Sequence, residues 1–200
     1  MRTKAIIKSI VLILILSASV DAQVTQYDVK SHSLKVEGTS NLHDWYADVE
    51  SLKGSVKIKV DNGKITGLEG LSIIVDARSF KASRGNIMNS KINDALDTKS
   101  HPEIRYELGR VNSITEEGGV YTISTTGQLI VSGVARTVSV NASGRMKPDG
   151  TIELSGSTAV KMSDHEVSPP TAMFGALTTG DEVTLKYSVV LQPGIVTGSK

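Results

Sequence analysis

The segment Glu182–Leu191, EVTLKYSVVL, places Val183, Leu185, Tyr187, Val189 and Leu191 on one face and polar or smaller residues between them. A period of two is the signature of a strand with one buried side, because successive side chains of an extended chain point to opposite faces. The same alternation recurs along the chain. GSVKIKV pairs Val56, Ile58 and Val60 against Ser55, Lys57 and Lys59. LSIIVDA (Leu71, Ile73, Val75), EIRYEL (Ile104, Tyr106, Leu108) and TVSVNASGRM (Val138, Val140, Ala142) follow it. Turn formers separate these runs: DNGK after Val60, EEGG over Glu116–Gly119, SGVAR over Ser132–Arg136 and KPDG over Lys147–Gly150. Asn-Gly and Gly-Gly tolerate the positive φ of tight hairpins. Strands this closely spaced predict an antiparallel, all-β sandwich or closed barrel.

One segment departs from the alternation. In NIMNSKINDAL, Asn86 to Leu96, the residues Met88, Ile92 and Leu96 recur every four positions, flanked by Ile87 and Ala95. That spacing predicts a short helix with one apolar face, set as a plug or lid on the β structure. His101-Pro102 follows. Proline lacks an N–H and pushes the preceding residue out of helical geometry, so the pair marks a helix end near Asp97 and a strand from Glu103. His101 is explained by this hinge without catalysis.

The first residues have the layout of a secretory leader. Arg2, Lys4 and Lys8 precede the apolar run Ile10–Leu16, and small residues then lead to Ala22. The run is short for a membrane span. Export to a periplasmic or fully secreted location is therefore expected, with residues 1–22 removed and 23–200 forming one domain. The whole chain carries 22 Lys and Arg against 21 Asp and Glu; three of the former and one of the latter lie in the leader, so the remainder has a formal charge of −1. A nearly neutral chain gives no bulk attraction for nucleic acid. It contains no cysteine, which excludes disulfides, thiolate metal sites and a thiol nucleophile.

Signals for catalysis are sparse. The histidines are His32, His43, His101 and His165, with no helical i, i+4 pair and no His-x-His. No metal site or cofactor is therefore expected. His43-Asp44 in SNLHDWYADV is the nearest thing to a catalytic dyad, and the competing reading is a turn built from Ser40, Asn41 and Asp44, with Trp45 opening the next strand. Sugar-binding platforms are unsupported in a chain that is 4% aromatic. What remains is binding through apolar volume. A barrel of about eight strands encloses one small ligand, and few large aromatics are available here to fill it. Composition leaves a hollow barrel and a packed aliphatic core equally open.

Four ordered segments carry a family resemblance: GSVKIKVDNGKI with LSIIVDARSF, then KINDALDTKSHPEIRYEL, then GQLIVSGVARTVSV, then PPTAMFGALTTGDEVTLKYSV. Together they resemble the YceI-like family over roughly residues 25 to 192. The first strand region, SHSLKVEGTSNLHDW, is a variant of the family pattern. The resemblance implies a lipocalin-like antiparallel eight-stranded barrel, a periplasmic or secreted location, and binding of an isoprenoid or other amphipathic lipid without an assigned reaction. On that reading Met88, Ile92 and Leu96 close against the barrel. Phe80, Tyr106, Met173 and Phe174 line the cavity or its mouth, and Trp45 or Tyr46 lies near a head group. Apolar residues of strands and helices such as these are more often plain core than ligand contacts. The expected partner is a lipid; a transient membrane contact and a dimer stay open. Two rivals remain: an envelope structural or stress-response protein with a filled barrel, and an enzyme using His43 and Asp44.

Overall fold

The computed structural model describes residues 23–194, apart from the side chains of Ala172 and Met173. The expected leader, residues 1–22, lies outside the described residues. Eleven strands occur in it: β1 (Gln23–Ser40), β2 (Trp45–Val49), β3 (Leu52–Asp61), β4 (Lys64–Asp76), β5 (Phe80–Ala82), β6 (Glu103–Glu117), β7 (Val120–Val131), β8 (Val134–Met146), β9 (Ile152–Lys161), β10 (Thr171–Ala172) and β11 (Leu177–Pro193). The helix α1 spans Asn86–Ala95, and short 3-10 turns cover Ser163–His165 and Met173–Gly175.

Eight strands form a ring in the order β11, β9, β8, β7, β6, β4, β3, β1, and β11 pairs back onto β1 to close it. All of these pairings are antiparallel. The chain is thus an all-β, closed antiparallel eight-stranded barrel with a single short α-helix. The long β1 makes closure work by sharing one edge: its first half pairs with β3, its second half with β2, and its other edge runs along β11. β2 in turn carries β5.

The predicted turns form where the chemistry demands them. Three hairpins have two-residue loops with φ positive at both positions: Asn62-Gly63, Gly118-Gly119 and Ser132-Gly133. This geometry matches the right-handed twist of the flanking strands. Val134–Arg136, read in sequence as part of a turn, already belongs to β8, because Gly133 completes the reversal. The His-Pro hinge is also as expected. Asp97 adopts a positive φ, the N–H of His101 bonds Asp97 O at 2.8 Å, and the N–H of Ala77 bonds Pro102 O at 2.9 Å. Ser132 Oγ donates to Leu96 O at 2.9 Å, so the β7–β8 turn caps an orphan carbonyl at the end of α1.

Inward positions follow the alternation. Two apolar clusters stack along the barrel. One gathers Tyr27, Val56, Ile58, Ile65, Tyr121, Ile123, Ile152 and Leu191; the other gathers Val36, Trp45, Val49, Val75 and Val183. Leu108 keeps the phase of Ile104 and Tyr106, and the phase changes to Val111 and Ile114 after it, because the β6–β7 register slips between Leu108 and Arg110. A bulge of this kind re-aims the residues after it.

Candidate functional site: an aliphatic cavity inside the barrel

A cavity of about 410 Å³ runs inside the barrel. That lies within the range of about 300–1,000 Å³ usual for small-molecule sites. Every residue named on the inward face of β11 reaches its wall: Val183, Leu185, Tyr187, Val189 and Leu191. Ile104 and Tyr106 of β6 supply the opposite wall, and Val138, Val140 and Ala142 of β8 the wall between. The inward side chains therefore do not meet everywhere across the barrel.

The helix closes one end. Met88, Ile92, Ala95 and Leu96 face the cavity, while Ile87 on the other side of α1 is exposed. Lys91 Nζ donates to Thr171 O at 2.7 Å, which ties α1 to the segment before β11. Ser40, His43, Pro170, Leu177 and Thr178 line the same end.

Six of the residues expected in a site are brought to this wall: Trp45, Phe80, Met88, Ile92, Leu96 and Tyr106. Phe174 is not. It sits in a 3-10 turn at φ 55° and stands fully exposed, because the left-handed turn throws its ring outward rather than over the mouth. Met173 belongs to the same turn, and its side chain lies outside the described residues. Tyr46 is also corrected. It alternates with Trp45 and Ala47 and so points outward, where Lys35 Nζ lies 4.0 Å from its ring centroid. Trp45 does point inward, but its indole N–H donates to Thr39 O at 3.1 Å and is spent on the backbone.

Two tyrosines that the sequence places facing inward, Tyr106 and Tyr187, and a histidine to which it assigns no role, His165, set the polarity of the cavity. Thr125 Oγ1 donates to Val140 O at 3.1 Å, so the Tyr106 hydroxyl must donate to Thr125 Oγ1, 3.1 Å away. Tyr187 Oη donates to Asn141 O at 2.8 Å and accepts from Thr158 Oγ1 at 3.3 Å. Both phenols spend their protons on the protein and offer only lone pairs. Burial raises the Tyr187 phenol above its usual pKa, opposed by the hydrogen bonds to Thr158 and Asn141. His165 is buried, its Nδ1 is 3.0 Å from Val134 O, and Nε2 has no protein partner. A carbonyl only accepts, so the neutral ring carries its proton on Nδ1 and leaves Nε2 an acceptor.

His43 and Asp44 are exposed and form a turn. Ser40 Oγ accepts the N–H of His43 at 3.1 Å and donates to His43 O at 2.6 Å. No hydrogen bond joins Asp44 to the His43 ring among the described residues. Among the described residues, too, no three His, Asp or Glu side chains come together as metal ligands.

Known proteins place this architecture. A polyisoprenoid binding domain from Saccharophagus degradans, implicated in plant cell wall breakdown, superposes with a TM-score of 0.63 at 11% identity, over 86% of this chain and 100% of that one. BcnA of Burkholderia cenocepacia gives 0.60 at 22% identity, over 80% and 95%. The Campylobacter jejuni YCEI protein gives 0.57 at 17% identity, over 74% and 85%. Identities this low carry the fold alone. None of the curated proteins is similar enough in sequence to count as a match. A family model described as the YceI-like domain matches residues 17–191. With that match spanning nearly the whole barrel, the chain belongs to the YceI-like family.

Proposed function

We propose that this protein is exported and holds the chain of one apolar-tailed amphiphile inside its barrel, for carriage or storage. The ligand class is isoprenoid, quinone or fatty acid. The observation that carries the reading is the continuous aliphatic void of about 410 Å³. A family neighbour described as a polyisoprenoid binding domain supports the same class. The leader-like residues 1–22 support a periplasmic or secreted location. Trp45, Phe80, Met88, Ile92, Leu96 and Tyr106 contact the chain in this reading, with α1 as the lid.

Affinity comes from taking apolar surface out of water. A chain burying about 300 Å² at roughly 25 cal/mol per Å² gains about 7 kcal/mol before ordering costs. No reaction is required of the site. An enzyme working through His43 and Asp44 is disfavoured by their exposure and by the lack of a hydrogen bond between their side chains among the described residues; His43→Ala leaves the protein's cellular phenotype intact on the binding reading and abolishes it on the enzyme reading. A structural envelope protein needs no interior, and the void is what argues against it.

The test is extraction and mass spectrometry of protein purified from its native envelope. Near-stoichiometric apolar-tailed lipid is expected. Empty protein that also fails to bind isoprenoid quinones or fatty acids overturns the proposal.

A further inference from the structure

The barrel is closed unevenly between β8 and β9. β8 is laddered to β7 along its length, and β9 to β11 along its length. The two meet each other only from Ala142↔Gly156 to Met146↔Ile152. Beyond that point residues 134–141 and 157–161 continue as strands without pairing to one another. A cleft of about 610 Å³ opens between them.

Side chains bond backbone carbonyls at both ends of the parting. In the paired half the backbones approach so closely that a β-carbon on Gly156 would lie 2.2 Å from Asn141 O. At the junction, Asn141 O is taken by the Tyr187 hydroxyl at 2.8 Å. At the far end His165 Nδ1 donates to Val134 O. The two-residue hairpin makes Val131 and Val134 a hydrogen-bonded pair. By the alternation of an antiparallel ladder, Thr137 and Ser139 then direct their N–H and C=O groups into the cleft.

A second parting shows that incomplete pairing alone does not make a site. β4 and β6 pair only from Ser72↔Glu107 to Asp76↔Glu103. There Ile65 and Tyr121 fill the space, the N–H of Ile65 bonds Tyr121 Oη at 3.3 Å, and Lys64 pairs with Glu116 at 2.9 Å. The β8–β9 cleft instead has walls of Thr137, Ser139, Asn141 and Ser157, and it shares Val138, Thr158, Val160 and His165 with the interior cavity.

We propose that the β8–β9 cleft seats the uncharged, hydrogen-bonding head group of the ligand whose apolar chain lies in the barrel. The proposal rests on the binding function argued above and adds where the head group sits and what it is. Ladder N–H and C=O groups together with hydroxyls suit a group that both donates and accepts, of which an alcohol is the simplest. The adjoining acceptors, Tyr187 Oη and His165 Nε2, favour a ligand that donates. An anion gains nothing here: Arg136 and Lys161 face Asp164 and Glu182 in the same cleft, and Arg136 is 3.7 Å from Glu166. A head group at the α1 end, beside His43, is the competing placement.

The chain has no cysteine, so single thiols report position cleanly. Ser139→Cys marks the cleft, Ser157→Cys is its second reporter across the gap, and His43→Cys marks the helix end. Maleimide labelling is followed with hexadecan-1-ol, hexadecane or hexadecanoate, alongside displacement of N-phenyl-1-naphthylamine from the wild type. Hexadecan-1-ol at about ten times its dissociation constant is expected to slow cleft labelling by about tenfold, while hexadecane displaces the dye and leaves the cleft thiols reactive. Hexadecanoate is expected to displace the dye without protecting them. Protection at His43→Cys alone, or equal cleft protection by alcohol and hexadecane, overturns the cleft assignment and leaves the barrel as the chain site. Failure of all three to displace the dye overturns the binding function itself and the assignment with it.

Discussion

The indole of Trp45 occupies the space in which a β-carbon on Gly38 would stand: that carbon would lie 2.4 Å from Cζ2. The two residues are cross-strand partners in the β1–β2 ladder, and Trp45 is the only tryptophan in the chain. Glycine at 38 thus lets the ring fold over β1, reach Thr39 O and form part of the cavity wall. Gly38→Ala forces the ring away, and overpacking of this kind costs about 1–3 kcal/mol. Urea unfolding followed by circular dichroism measures the loss, and a shift in the tryptophan emission of the folded protein shows that the ring has moved.

The hollow makes an unusual demand on a bulky substitution. Val140 points into the cavity and is half-buried. In a filled core Val140→Phe costs about 1–3 kcal/mol by overpacking. Here the added ring enters the void, so stability is expected to hold within about 1 kcal/mol while binding of an apolar dye is lost. A large destabilisation with dye binding retained contradicts a hollow barrel.

Ser132 links the lid to the barrel through its hydrogen bond to Leu96 O. Ser132→Ala removes the only side-chain donor to that carbonyl among the described residues, and a bond of this kind contributes about 0.5–1.5 kcal/mol. Hydrogen exchange resolves the effect: faster exchange at the end of α1, with the amides of β7 and β8 unchanged, is the expected pattern.

Acid acts on the pair that bridges the β4–β6 parting. The Lys64 ammonium, the N–H of Gly119 and the Lys64 charge hold the Glu116 carboxyl below its ordinary value near 4.5. A lowered folded value means the stabilisation is complete above that ordinary value and is lost as pH falls through the folded one. Lys64, raised by Glu116, loses its share only as alkaline pH passes through its raised value. Thermal melts of wild type and Lys64→Met from about pH 2.5 to about pH 7 check this. The wild-type advantage is expected to be present near neutrality and to vanish in acid. Both groups are open to solvent, so added salt screens the pair and shrinks the advantage as well.

Much of the fold was legible in local chemistry. The face Val183–Leu185–Tyr187–Val189–Leu191 is visible in sequence because a pleated strand alternates strictly, and all five side chains line the interior. The helix from Asn86 and the His101-Pro102 hinge were legible for the same reason: a four-residue period and a missing N–H act within a few residues. Phe174 was misread because its direction depends on one left-handed φ, which no hydrophobic pattern encodes. The roles of Tyr187, Thr158 and His165 were not legible, because they lie in bonds to Asn141, to each other and to Val134, partners distant in the chain.

By itself the sequence determined the strands, the turns that join them and the aliphatic character of the inward face, since these follow from backbone sterics and side-chain periodicity. Only the tertiary structure decided that the inward residues leave about 410 Å³ open and that β8 and β9 part beyond Ala142↔Gly156. Whether opposed side chains meet depends on the circumference and stagger of a closed sheet. Those are set by pairings between segments far apart in sequence, such as β1 with β11, and each residue's local pattern reads the same in a packed barrel as in a hollow one.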